Sequence, residues 1–178
     1  MTTVMNSKTI LGSTLAAIFV LSMTMLPALA TGHLTIVESS FKNTGAVSKV
    51  TIKTAADIPT TGAFGYGVIG TDRILVVTTH GGVGPDSEAQ QDQFDSIFHT
   101  HAVTLNFASG VCASGIEVAT ITFEEFGHLK VKGNTIKITG ISNEAAGEIT
   151  GPFASFELSI IGPANAPTNV CVDNLQLF

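Results

Sequence analysis

The stretch QFDSIFHTHAVTLNF, residues 93–107, decides how this chain is read. Val, Ile, Thr and Phe recur through it without helical period, which predicts a β-strand over 97–107. Successive side chains of a strand point to opposite faces. Ile97, His99, His101, Val103, Leu105 and Phe107 therefore share one face, and Phe98, Thr100, Ala102, Thr104 and Asn106 the other. The first set reads as a core face with two imidazoles set into it. Burying a polar group without partners costs about 1–3 kcal/mol. Two adjacent histidines on such a face need either hydrogen-bond partners or a metal ion.

The same alternation extends in both directions. It predicts strands near 33–38, 47–54, 63–69, 74–80, 116–124, 128–132, 135–141, 153–161 and 169–178. KGNT at 132–135 has the Gly-Asn pair of a two-residue hairpin turn. GAFGYGVIG at 62–70 is expected to hold bulges or close backbone contacts. The one expected helix is a turn or two within DSEAQQDQFD, 86–95. With no internal repeat, the chain reads as all-β: a single antiparallel β-sandwich or jelly-roll-like domain over 31–178.

Residues 1–30 read differently. A short polar start with Lys8, an apolar run and the small residues Ala28 and Ala30 form the pattern of a secretory signal cleaved after Ala30. Retention as a membrane anchor is the alternative. No later segment has the ~20 apolar residues of a membrane-spanning helix. Charged residues make up 12% of the chain, whose net charge is −6. That balance argues against nucleic acid or anionic lipid as a partner. Cys112 and Cys171 both follow the signal, and in an oxidising compartment they are expected to form one disulfide.

Residues i and i+2 of a strand can bind one ion together, so H-T-H at 99–101 suggests a metal site. His80 ends the strand ILVVTTH, and the loop that follows returns the chain to His99. His80 is the expected third ligand, and Asp86 or Glu88 in that loop would supply a carboxylate. Three imidazoles with a carboxylate favour zinc or copper. The oxygen donors at Asp86, Glu88, Gln90 and Asp92 raise calcium at the 86–95 loop as a further expectation, against a plain solvated loop. His128 shares its face with Lys130 and Lys132 and is expected in solvent. Cupins follow a similar H-x-H with a glutamate three or four residues on, and HTHAVTLN has none. There is no G-x-S-x-G and no phosphate loop.

The pattern TTHGGVGPDSEAQ … FHTHAVTLNF … C, over about 80–112, resembles secreted proteins of unassigned function from ammonia-oxidising archaea. That resemblance implies an extracellular or cell-surface location. The ending NVCVDNLQLF is similar to the last strand of extracellular carbohydrate-binding jelly rolls. Such modules often hold sugar on exposed aromatics, and a chain with no Trp and one Tyr offers few. The leading expectation is a secreted or cell-surface, non-catalytic, metal-binding protein. Two alternatives stand beside it. One is a self-assembling surface or matrix subunit, pairing with itself or other surface components through 153–161 and the C-terminal strand. The other is a metal-dependent enzyme using the same histidines, with Glu88 or Asp95 as base.

Overall fold

A computed structural model describes residues 32–80, 98–122, 124–163 and 167–178, with His80 described by its backbone alone. Among these residues the strands are β1 Ile36–Thr44, β2 Val47–Thr54, β3 Ala63–Gly70, β4 Ile74–His80, β5 His99–Asn106, β6 Glu117–Ile121, β7 His128–Lys132, β8 Thr135–Ser142, β9 Ile149–Ile161 and β10 Asn169–Leu177. Every pairing is antiparallel. The all-β expectation holds, and most strands lie where alternation placed them. At 132–135 the expected hairpin joins β7 to β8, with Lys132 opposite Thr135 and Gly133 at φ 56°. The helix expected within 86–95 lies outside the described residues.

Two elements depart from the reading. β1 begins after a 3-10 turn at Gly32–Leu34 and runs to Thr44, well past the expected end at 38. It is an edge strand with most of its side chains exposed, so Ser, Lys and Asn replace the apolar alternation that signals a half-buried strand. A single helical turn, α1 at Asn143–Ala146, precedes β9. The Ser142 side chain accepts the Glu144 N–H at its start, and Gly147 at φ 75° ends it.

The strands form two sheets. One has the order β1-β2-β8-β7; the other closes on itself as a barrel, β10-β6-β5-β4-β3-β9. Val50 and Ile52 of β2 and Ile136 and Ile138 of β8 are buried in one core with Phe64, Tyr66 and Val68 of β3, Leu75 and Val77 of β4, and Phe98. A second cluster, built on Val76, Val103, Phe156 and Val172, occupies the barrel interior. The wall β3-β4-β5 is therefore buried on both faces. Fully burying an aliphatic side chain contributes on the order of 1.5–3 kcal/mol, so both faces of this wall carry stabilisation. β3 shows what that demands. Phe64, Tyr66 and Val68 face the four-stranded sheet, while Gly65 faces inward where a Cβ would lie 2.7 Å from both the Phe156 ring and the Val77 carbonyl oxygen. The close contacts expected in GAFGYGVIG are at this glycine and at Gly70, where a Cβ would overlap the Ala146 carbonyl oxygen, and the β3–β9 register slips between Val68 and Gly70.

Closure is thinnest between β6 and β10. Their ladder has one residue pair, Cys171 opposite Glu117, supplemented by Val172 N–H donating to the Ile116 carbonyl at 3.1 Å. The expected disulfide, Cys112–Cys171, sits at this seam with Cα atoms 5.5 Å apart. Asn169 Nδ2 donates to Glu117 Oε1 beside it.

Closure also corrects the strands chosen for self-pairing. Residues 153–161 lie in β9, between β3 and β10, and the C-terminal strand β10 lies between β9 and β6. Their backbone groups are directed at partners inside the barrel. The open edges are β1 and β7, which carry Lys42, Lys130 and Lys132, residues that discourage edge-to-edge pairing.

Replacing Cys112 and Cys171 together by serine is expected to lower unfolding free energy in a denaturant titration by about 2–5 kcal/mol. Amide exchange in β6 and β10 should accelerate more than in β2 and β8; uniform acceleration would move the effect from the seam to the unfolded chain. The buried Tyr66 hydroxyl donates to the His33 carbonyl oxygen at 2.7 Å, and burial raises the phenol's pKa well above its ordinary value. A pKa higher in the folded than in the unfolded state stabilises fully below the unfolded value, about 10, and that stability is lost as pH rises above it. Alkaline titration should therefore show tyrosinate absorbance, which only Tyr66 can produce, appearing together with unfolding. Ionisation in a folded chain near the ordinary value would contradict it.

Candidate functional site

His99 and His101 begin β5, opposite Thr78 and Val76 of β4. Their face continues through Val103 into the barrel interior, and they are 3% and 1% exposed. The burial expected of this face is present. The opposite face is equally closed, since Phe98, Thr100 and Ala102 pack toward the four-stranded sheet or against neighbouring backbone. The expected single core face is one of two.

The imidazoles are held by the chain after β6. There the ladder gives way to side-chain pairing: Ala102 N–H donates to Thr122 Oγ1 at 2.9 Å, and Phe126 N–H donates to Thr100 Oγ1 at 2.7 Å. This brings the Thr122 carbonyl 2.9 Å from His101 Nδ1 and Glu125 Oε1 2.7 Å from His99 Nδ1. A carbonyl only accepts, so His101 carries its proton on Nδ1 and its neutral ring's lone pair is on Nε2. An ionised Glu125 sets the same tautomer in His99. Thr78, Thr79, His99, His101 and Glu125 each take part in further interactions.

His99 and His101 are neighbours on one wall. His80 is the last residue of β4, two beyond Thr78, with its backbone opposite Ala63. Asp86, Glu88 and the rest of the proposed calcium loop lie outside the described residues. His128 is exposed on β7, as its lysine neighbours suggested. Glu125, which holds His99, is not among the expected carboxylates, and its only signal in the sequence is the pair of glutamates in TFEEFGH directly after a strand. Among the described residues no group of three or more His, Cys, Asp or Glu is placed to hold a metal.

From His101 and Thr78 the barrel interior continues as a cavity of roughly 530 Å³, with walls from all six strands. Ile74, Val76, Val103, Leu105, Leu158 and Val172 supply much of its surface. Ile69, Phe107 and Leu177 line it at the end where β3, β5 and β10 finish, and are 37%, 68% and 64% exposed, so the cavity opens there. The histidines lie toward the other end.

A bulge in β10 shapes this interior. Val170 and Val172 line the cavity on even positions, then Leu175 and Leu177 on odd ones. The switch falls where Asp173 pairs with Glu157 and Gln176 with Ser155, so that Asn174 and Leu175 lie opposite Phe156 alone. Asn174 takes φ 49° inside it and donates from Nδ2 to Glu157. In an unbroken strand the even parity would aim Asn174 and Gln176 inward; the extra residue substitutes two leucines. Asp173 and Asn174 of the ending NVCVDNLQLF fall at this bulge.

No family model, curated protein or solved structure matches the chain.

Asn174→Ile is expected to cost about 1–3 kcal/mol, the strain of a β-branched residue in the left-handed region. Asn174→Gly should stay within about 1 kcal/mol of the parent. Chemical denaturation of both variants checks this, and equal losses would show that the Asn174 side chain, not its backbone, matters.

Proposed function

We propose that the chain is an exported, non-catalytic protein of the cell surface or extracellular space that binds zinc or copper through His99, His101 and His80. Asp86 or Glu88 is the accompanying carboxylate. One observation carries the reading: two same-face imidazoles, both buried, each have Nδ1 fixed by an oxygen acceptor, a carboxylate in one case and a carbonyl in the other. Metal-binding histidines are oriented in this way, with Nδ1–H on an oxygen and Nε2 serving the ion. Export is supported by the leader pattern at 1–30 and by the Cys112–Cys171 disulfide. No helix among the described residues is long and apolar enough to cross a membrane. In this reading 31–178 is one domain, a sandwich in which the second layer has closed into a barrel.

Elemental analysis of the full chain after reloading with zinc or copper should find one ion per chain. In calorimetric titration His99→Ala and His101→Ala should each abolish tight binding. Glu125→Gln, which weakens the hold on His99, should lower affinity about 10–100-fold. His128→Ala should change nothing. Substoichiometric metal after reloading, or binding unaltered in both histidine variants, would overturn the reading.

A further inference from the structure

We propose that the barrel interior is a binding site for an uncharged, largely hydrocarbon molecule that enters between Ile69, Phe107 and Leu177. The volume, roughly 530 Å³, lies within the range of ~300–1,000 Å³ typical of small-molecule sites. Barrels of about eight strands have interiors only just wide enough for side chains to fill. This one has six and keeps space, because its inward positions include Ala63, Gly67 and Ala154. Gly67 is telling: a Cβ there would meet nothing closer than 3.4 Å, so a side chain fits and none is present.

The chemistry of the walls selects the ligand. Among the described residues no Lys, Arg, Asp or Glu lines the cavity, and the one imidazole that does, His101, has Nδ1 on the Thr122 carbonyl. A carboxylate or phosphate drawn inside would lose its hydration without gaining a cation, and an ammonium would find no anion. The chain's net charge of −6 further disfavours anions. The walls are mainly aliphatic, matching a hydrocarbon chain better than stacked rings. The exposed apolar side chains at the open end give such a molecule a continuous apolar path inward.

The test uses the full chain with EDTA present, so that it stands apart from the metal reading. It is titrated with N-phenylnaphthylamine, a neutral fluorescent probe, then with tetradecanol or tetradecanoate as competitor at mildly alkaline pH. The probe should bind one saturable site, and tetradecanol should displace it at concentrations about tenfold or more below those of tetradecanoate. Ala154→Phe and Val118→Phe, which add bulk to the cavity from different strands, should each abolish probe binding while the melting transition is retained. In the unaltered chain, tetradecanol should shift the methyl resonances of Val76, Val103 and Val172 and leave those of Val50 and Ile138 unmoved; this reading stands even if a variant does not fold. Absence of saturable binding, survival of binding in two folded variants, or methyl shifts confined to the outer core would overturn the site. Equal competition by tetradecanoate would overturn the neutral ligand.

Discussion

Closure of the barrel between β6 and β10 is the constraint on which the interior depends. Those strands share a single ladder pair, Cys171 with Glu117, and the Cys112–Cys171 disulfide ties the same place covalently. Opening this seam would expose Val103 and Val172 to water and give β6 and β10 the unpaired edges that a barrel abolishes. A cross-link spanning 59 residues also restricts the unfolded chain, an effect of roughly 4 kcal/mol in the chain-entropy treatment. The bond therefore contributes where backbone pairing is sparsest.

Burial of β3, β4 and β5 on both faces follows from closing one sheet and covering its wall with the other. Each residue on this wall belongs to one of two interiors, and polar residues are accommodated only with partners in reach. Thr100, on the outer face, exchanges hydrogen bonds with the Phe126 backbone. His99 and His101, on the inner face, reach Glu125 and the Thr122 carbonyl. Thr122, Glu125 and Phe126, which follow β6, thus serve both sides of β5. They leave regular β pairing where the histidines require acceptors, and a continued β6 ladder would not have placed the Glu125 carboxylate there.

The two proposed sites divide the barrel by polarity. The end where β4 finishes and β5 begins gathers hydroxyl, imidazole and carboxylate groups beside the apolar Ile121, Ile160 and Val170, whereas Ile69, Phe107 and Leu177 at the opposite end are apolar and exposed. A desolvated ion needs oriented polar donors, and an uncharged hydrocarbon needs their absence. One barrel accommodates both because alternation gives the inner face to different residues along its length.

Period-two alternation by itself determined the all-β class, the positions of most strands, the Gly133 turn and the burial of His99 and His101, since each follows from local side-chain direction. Cysteine count and the leader pattern likewise led to the Cys112–Cys171 pairing. Alternation is silent on how many faces are covered: a strand between two cores and a strand on one core have the same period. Hence only the tertiary structure showed that Phe98 and Ala102 are as buried as the histidines, and that the apolar face of β5 lines a cavity. It alone decided which strands became edges, because ladder partners are set by closure between residues as distant as Glu117 and Cys171. Glu125 was hidden for the same reason. Its role arises from a segment lying against β5 through Thr122 and Thr100, a contact 20 to 26 residues long in sequence and without a local signature.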